Sequence, residues 1–247
     1  MANGEDFVAA ARELRDAPRL DIGVHLTLVG ERPLSPAAEV PSLLDRDGVS
    51  FLPDYRAFLQ RYLRGGIRVD EVEREARRQI ERVREAGVIV RHLNSHQHLH
   101  ALPRVFDLVV RLAQEHGVPY VRLPRDAYPR ATRFGRWLAV RALARFAERD
   151  RRRLSGTGVR ANDRAVGIMD AGRLTPGLLL ALLDQVRGLT ELVSHPGVDD
   201  GAIARKYPWG YRWSAELEAL CDPRVRARIT AEGIALVGMM EWTERPS

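Results

Sequence analysis

The sequence predicts an α/β fold built on a parallel β-sheet, either open or closed into a barrel. Along the 247 residues, stretches with apolar residues at helical spacing alternate with short apolar runs typical of buried strands. No internal repeat or low-complexity tract interrupts this alternation. Histidines also lie at or just after the ends of three predicted strands. Parallel sheets bind their ligands at the C-terminal ends of their strands, so the same pattern predicts a site there.

The first part of the chain predicts two helices that flank one strand. An amphipathic stretch predicts a helix over Phe7–Arg15, which ends before Pro18 because proline cannot continue a helix. The run LDIGVHLTL predicts a strand over Leu20–Leu28. A proline-rich loop follows it, and a second helix is predicted over Tyr55–Leu63.

The middle of the chain predicts two further helix and strand pairs. Apolar residues at three- and four-residue steps predict a long helix that begins at Val69 and stops at Gly87. The next elements follow in order: a strand over Val88–Leu93, a helix over Pro103–His116 and a strand over Val118–Leu123.

The last part predicts long loops between fewer elements. Arg152–Gly172 is interpreted as a loop, and Thr175 with Pro176 forms an N-cap and first turn for a helix to about Val186. The remaining elements follow in order: a strand over Thr190–Ser194, a loop over Val198–Trp213, a helix opened by Asp222 and Pro223, and a closing buried strand over Ile234–Met239.

The chain is basic, with a net charge of +6 and a pI near 10.0. Only one of its 39 basic residues, Lys206, is a lysine, and the arginines are mixed with glutamates. This pattern indicates a compositional bias, so no nucleic-acid partner is expected. The dense stretch from Arg122 to Arg153 is interpreted as a solvated helix face. A patch for an anionic ligand or a membrane surface is the alternative.

Size and cysteine content restrict the class of protein further. The length fits a single domain over 1–247, or two small domains at most. The only cysteine, Cys221, excludes an internal disulfide and a CxxC site, so a metal would be held by histidines and carboxylates. No window reaches the ~18 apolar residues of a transmembrane helix, and the N-terminal sequence is not typical of a signal peptide. A cytoplasmic location is expected.

Four of the seven histidines lie in the run RHLNSHQHLH, directly after a predicted strand. On an extended backbone, alternate residues would point toward one face. The residues at these positions are His92, Asn94, His96, His98 and His100. Imidazole is the commonest ligand for a divalent transition ion, so the run predicts a metal or catalytic role for at least one of His96, His98 and His100. His92, still inside the strand, is interpreted as structural.

Two further histidines occupy equivalent positions. His25 lies near the end of the strand in GVHL, and His195 ends a strand in SHPG, where Pro196 turns the chain out of the sheet. Such histidines converge in space if the sheet brings its strand ends together, as a barrel does.

The chain resembles the YdjC/ChbG family of carbohydrate deacetylases from about Asp21 to Met239. Three segments carry the resemblance: DIGVHLTLVGERPLS, HLNSHQHLHALPRVFDLVVRLAQEHGVPYVRLPRD and TELVSHPG. It implies a distorted TIM-like β/α barrel of the glycoside hydrolase/deacetylase type. It also implies hydrolysis of N-acetyl groups from acetylated amino sugars, such as chitooligosaccharides, by a divalent metal ion. Mg²⁺ is the preferred ion and Zn²⁺ the alternative.

The resemblance also assigns roles to residues. It implies that His25 and His96 bind the metal and that His195 donates a proton to the leaving amine. It further implies that Arg122, His98 and His100 line the substrate site. Asn94 stands where many members carry aspartate, and an amide can still orient a neighbouring imidazole.

The carboxylates of the family are the main departure. Members begin with a strand that ends in Asp-Asp-Phe-Gly, which supplies the catalytic base and a metal ligand, and no such motif occurs here. We therefore expect this first βα unit to lie upstream of Met1. Asp21 is four residues before His25, about 13 Å along a strand, and is not expected to reach the metal. Asp199 and Asp200 are weak candidates, and the helix glutamates Glu71, Glu75 and Glu85 are expected in exposed ion pairs.

Several other functions fit the same residues. The chain could be a catalytically inactive, shortened relative that binds sugar or metal, or another amidohydrolase that uses histidine-bound metal. The GERPLSP and VRLPRD segments also resemble the hopanoid-biosynthesis branch of the family, which implies a glycolipid substrate and peripheral membrane contact. Unpaired strand edges of an incomplete barrel would favour a homodimer.

Overall fold

The structure is a computed structural model that describes residues 1–17, 19–125 and 134–243. The described strands are β1 Ile22–Leu26, β2 Val90–Ser95, β3 Tyr120–Val121, β4 Arg164–Val166 and β5 Thr190–Leu192. The described helices are α1 Phe7–Arg15, α2 Tyr55–Leu63, α3 Val69–Glu85, α4 Val105–Glu115, α5 Phe134–Arg153, α6 Pro176–Leu183, α7 Asp200–Lys206, α8 Trp213–Cys221, α9 Pro223–Ala231 and α10 Met239–Thr243.

The chain divides into two compact units. The first comprises the described residues of 1–122, 150–161 and 238–247, and the second those of 123–149 and 162–237. The prediction of a single domain over 1–247 is not tested by this division and stays a prediction.

A three-stranded parallel sheet of order β1-β2-β3 organises the first unit. Parallel neighbours need a crossover connection, and α3 lies in the chain between β1 and β2 while α4 lies between β2 and β3. The register pairs His25 with Asn94 and Leu26 with Ser95 at the C-terminal ends of the first two strands. The sheet therefore brings the two predicted histidine segments to the same edge.

Apolar side chains of the strands and the crossover helices form the core of the first unit. In α4, apolar residues at helical spacing, among them Val105, Leu108, Val109 and Leu112, are buried. The largest fully buried side chains of this unit include Leu26, Phe58, Ile80, Leu93, Phe106, Leu112 and Tyr120.

One face of α3 is polar and buried, which contradicts the prediction of exposed ion pairs for two glutamates. Glu71, Glu75 and Gln79 lie four residues apart, and each is at most 3% exposed. Their side chains accept backbone N–H groups of the loop after β1. Glu75 binds the N–H groups of Leu34 and Ser35 at 3.0 and 2.8 Å. The loop has no sheet partner of its own for these donors, so the helix satisfies them. Of the three glutamates predicted in exposed ion pairs, only Glu85 is exposed.

The second unit contains a parallel pair, β4 with β5, packed against helices. Its apolar cluster comprises Val166, Leu174, Leu179, Leu182, Leu183, Ala219 and Val225. The strand β4 lies within a segment that the sequence analysis interpreted as a loop, because three residues are too short for a recognisable alternation. The predicted loop over Val198–Trp213 likewise contains the short helix α7.

The predicted closing strand over Ile234–Met239 is wrong. Residues 234–238 have no regular structure, α10 begins at Met239, and Leu236 is 77% exposed. The N–H of Ile234 instead bonds to the carbonyl of Ile229 at 3.0 Å, and its side chain packs on the apolar cluster of the second unit. An apolar run that follows a helix can thus close the end of that helix instead of forming a strand.

The predicted α/β class with parallel sheets is confirmed, and the predicted barrel is not. The described residues form one three-stranded and one two-stranded sheet, with no closed barrel among them. From Phe134 onward the basic segment forms α5, while its part at residues 126–133 lies outside the described residues. Within the described ranges, no helix is both long and apolar enough to span a membrane.

Replacing Glu75 by alanine is expected to destabilise the protein strongly. The substitution leaves the N–H groups of Leu34 and Ser35 without an acceptor, which should lower the free energy of unfolding by about 2 to 4 kcal/mol. The exposed Glu85→Ala variant is the control and should change it by less than about 0.5 kcal/mol. Urea unfolding followed by circular dichroism measures both, and equal effects would contradict the buried role of Glu75.

Candidate active site

His25 lies at the end of β1, directly opposite Asn94 of β2. Its Nδ1 is 2.6 Å from Oδ1 of Asn94. An amide oxygen only accepts hydrogen bonds, so Nδ1 of His25 carries the proton and donates it. Nε2 therefore keeps its lone pair, and this is the tautomer in which a histidine can bind a metal ion through Nε2.

The surroundings of His25 keep its imidazole neutral. Burial lowers the pKa of His25 well below its ordinary value of 6.5, and the nearby His96 lowers it further. The hydrogen bond to Asn94 opposes these effects, and the positive charge of Arg122 adds to them. A neutral imidazole is required of a metal ligand, so the local electrostatics suit the predicted role.

The ring of His96 lies beside that of His25. The two ring centroids are 5.7 Å apart, with an edge-to-face angle of 70°. Two imidazoles that bind one ion at about 2.1 Å place their centroids roughly 4.5 to 5.5 Å apart. The observed separation is slightly wider and is close to that of two ligands of a single divalent ion. Among the described residues, no group of three or more histidine, cysteine or acidic side chains is arranged to hold a metal ion.

The histidine run does not stay extended, which corrects the prediction that its alternate residues share one face. Strand β2 ends at Ser95, and His96–Ala101 forms a 3-10 turn. Gln97 and His98 have φ of 54° and 57°, in the left-handed region. Such a conformation is costly for two successive non-glycine residues, and a side-chain contact holds it in place. Oε1 of Gln97 accepts the first backbone N–H of α2, from Tyr55, at 2.5 Å.

The contacts of His100 argue against the predicted contact with a sugar. It is fully buried, and its Nδ1 is 2.7 Å from Oγ of Ser95 while its Nε2 is 2.9 Å from the carbonyl of Arg122. The carbonyl must accept from Nε2–H, so the Ser95 hydroxyl donates to Nδ1. The backbone N–H of His100 also donates to Oγ of Ser95, at 2.9 Å. His100 thus joins the turn to the end of β3.

The other members of the predicted set are distributed between the two units. His98 and Arg122 belong to the same unit as His25 and His96, and Arg122 extends β3 by donating its N–H to Leu93 at 3.0 Å. The structural interpretation of His92 agrees with its position. Its ring lies over Gly23 of the neighbouring strand, where any larger side chain would overlap it.

His195 lies in the second unit, next to a carboxylate that the sequence analysis missed. Oε2 of Glu216 accepts the backbone N–H of His195 at 2.5 Å and lies 4.0 Å from its Nδ1. Glu216 is fully buried, although it is acidic. The sequence carries one signal for it, since Trp213, Glu216 and Ala219 share the buried face of α8 at three-residue spacing. A carboxylate on an apolar helix face indicates a specific partner.

The aspartates considered as alternative carboxylates have structural contacts. Asp199 caps α7 by accepting the N–H of Ala202 at 2.9 Å. Asp200 accepts the N–H and the hydroxyl of Ser214 at 2.7 and 3.0 Å. The carboxylate of Asp21 lies against Gly238, before the start of β1 and away from its C-terminal end.

Comparison with known proteins decides the family. A family model described as YdjC-like protein matches residues 1–231. The chain belongs to the YdjC-like family. This confirms the resemblance noted in the sequence.

Relatives of this YdjC-like protein match it over nearly its whole length. The carbohydrate deacetylase of Geobacillus stearothermophilus is 30% identical, over 98% of this chain and 84% of that protein. The mouse carbohydrate deacetylase is also 30% identical, over 96% of this chain and 82% of its own length. A crystal structure from Enterococcus faecalis, of a candidate cellobiose-phosphate cleavage protein, has a TM-score of 0.75 at 25% identity. This structural match covers 98% of the present chain and 85% of the Enterococcus faecalis chain.

Removing the amide of Asn94 should change the tautomer of His25. In the metal-free protein, two-dimensional ¹H–¹⁵N spectra of the histidine rings should show His25 neutral and protonated on Nδ1 at pH 7. The Asn94→Ala variant should shift His25 toward the Nε2–H form, because the acceptor is lost. The half-buried His116 is the internal control and should not change. A His25 protonated on Nε2 in the unaltered protein would contradict this assignment.

Proposed function

We propose that this protein hydrolyses N-acetyl groups from acetylated amino sugars and uses a divalent metal ion to do so. The name of the curated relatives, carbohydrate deacetylase, supports the reaction type. The observation that carries the proposal is the pair of His25 and His96 at the end of a parallel sheet, with Asn94 orienting His25. The distorted TIM-like barrel implied by the resemblance belongs to the same proposal.

His25 and His96 would hold the ion in this proposal. A catalytic site of this kind takes a third ligand as well, and the resemblance implies an aspartate in that role. Such an ion would supply a Lewis acid for the amide carbonyl and would lower the pKa of the attacking water. Mg²⁺ is the preferred ion on the resemblance, while two imidazole ligands favour Zn²⁺, so both belong in the test.

The reaction is acyl transfer from nitrogen to water. The oxygen of water would bond to the acetyl carbon while a carboxylate base, the role that the resemblance gives to an aspartate, would take the water's proton. The C–N bond then breaks, and His195 gives a proton to the departing nitrogen, so that acetate and a free amine leave. Arg122, whose charge already acts on His25, and His98 would contact the acetylated sugar. His100 would position the turn that carries His96 and His98.

Glu216 would act through His195 as a positioning residue. Its carboxylate holds the backbone of His195 and lies 4.0 Å from Nδ1. A negative charge at this distance favours the protonated imidazole that a general acid needs.

Acetate release from N,N′-diacetylchitobiose and longer chitooligosaccharides tests the proposed function. With Mg²⁺ or Zn²⁺ the protein should release acetate, and a chelator should abolish the release. His25→Ala and His96→Ala should each lower kcat/KM at least about 100-fold and weaken metal binding in calorimetry. His195→Ala should lower kcat about 100-fold or more with little effect on metal binding.

The control variant is His116→Ala, because His116 contacts Arg84 and lies outside this site. It should retain full activity. Undiminished turnover after complete metal removal would contradict the metal-dependent proposal.

A catalytically inactive relative that binds sugar or metal is the second candidate. It is favoured by one observation, the lack of a third metal-binding side chain beside His25 and His96 among the described residues. Binding of the oligosaccharide without any acetate release, with the metal bound, would favour this candidate.

Replacing Glu216 by glutamine should alter the pH dependence of the reaction. Glutamine retains an acceptor for the N–H of His195 but removes the negative charge near Nδ1. The protonated imidazole then becomes less favourable, so the basic limb of the pH profile of kcat should move to lower pH. His195→Ala should remove that limb. An unchanged profile in an active Glu216→Gln variant would show that Glu216 has only a structural role.

A further inference from the structure

A row of aromatic side chains runs from His195 to the surface of the second unit. Tyr207, Trp209, Tyr211 and Trp213 lie at alternate positions, and we call them the aromatic row. Successive ring centroids are 4.8, 5.5 and 5.9 Å apart. The ring of Tyr211 also lies 5.2 Å from that of His195.

Exposure increases along this row from Trp213 to Trp209, and Tyr207 beyond it is again partly buried. Trp213 is buried at the start of α8, with 4% exposure, and Tyr211 is partly buried. Trp209 is 39% exposed and is one of the large hydrophobic side chains that the structure leaves at the surface. Large apolar rings that stay exposed beside a reactive group are typical of a binding surface.

The backbone holds the exposed rings in place. The N–H of Trp209 bonds to the carbonyl of Tyr207 at 2.7 Å, across Pro208, which restricts the turn. The N–H of Tyr207, the residue after α7, donates to the carbonyl of Ile203 within that helix at 2.8 Å. At the inner end, Tyr211 packs over Gly172, where any side chain would overlap its ring, and Arg212 donates to the Gly172 carbonyl at 3.0 Å. The rings are therefore held in position before any ligand binds, which lowers the entropic cost of binding.

We propose that the aromatic row binds the pyranose ring of a second sugar unit, next to the unit that is deacetylated. The inference rests on the proposed function, which places His195 at the nitrogen of the reacting sugar. A pyranose presents a face of C–H bonds, which packs on the electron-rich face of an aromatic ring. The hydroxyl groups at its rim can meet the phenol and indole groups of the row. The row continues outward from His195, so its occupant is the neighbouring unit of the same chain.

A sugar unit held at His195 alone would not reach Trp209, so only a substrate of two or more units would contact the outer part of the aromatic row. Two ring-to-ring steps separate Trp209 from His195, through Tyr211. The contribution of Trp209 to substrate binding should therefore depend on the number of sugar units in the substrate.

The test compares acetate release from N-acetylglucosamine and from N,N′,N″-triacetylchitotriose. Trp209→Ala should raise KM for the trimer about 5- to 10-fold, with kcat nearly unchanged, and should leave the kinetics of the monosaccharide unaltered. Trp209→Phe, which retains an aromatic face, should stay within about 2-fold of the unaltered protein. Leu236→Ala removes a side chain that is 77% exposed in the same unit and is the control, with no expected change. Thermal unfolding of each variant checks that the fold is retained.

The outcomes separate this inference from the proposed function. If the protein releases acetate and Trp209→Ala leaves KM for the trimer unchanged, the aromatic row is not a sugar site and the deacetylase proposal stands. If no acetate is released, calorimetric titration with the trimer decides. Binding that Trp209→Ala weakens and Leu236→Ala does not would support the aromatic row without catalysis. Absence of trimer binding would overturn both proposals.

Discussion

The hydrogen bond between His25 and Asn94 depends on the parallel pairing of β1 with β2, and the candidate site depends on that bond. The register places the two residues opposite each other at the C-terminal ends of their strands. A distance of 2.6 Å then fixes the proton on Nδ1 and leaves Nε2 for a ligand. A shift of one residue in this register would turn every side chain of the strand to the other face and would separate the pair.

The rest of the first unit supports this edge of the sheet through buried polar contacts. Glu75 and Gln79 of α3 satisfy backbone groups of the loop that leaves β1. His100 links the turn after β2 to the end of β3. A buried polar group that loses its hydrogen-bond partner is costly in a low-dielectric interior. These contacts therefore favour the one arrangement of the loops around His25 and His96 in which all of them are made. In the second unit, Glu216 has the corresponding role for His195.

Much of this could be predicted from local patterns, and the failures have physical reasons. Apolar periodicity predicted α1, α2 and α3, and the histidines at strand ends indicated where the site lies. The strict alternation of the histidine run failed at Gln97, because side-chain contacts hold the backbone in a left-handed conformation that no periodicity shows. Glu75 was expected at the surface because a charge pattern does not reveal which loop will need acceptors. Glu216 was missed because its helix, α8, was not predicted.

The most direct test of the central claim is the position of a metal ion in crystals of this protein grown with Zn²⁺. The account predicts one strong anomalous peak at the zinc absorption edge, bonded to Nε2 of His25 and to a ring nitrogen of His96, with Nδ1 of His25 still on Asn94. A peak that involves other histidines, or a His25 bound through Nδ1 with its contact to Asn94 broken, would contradict the account.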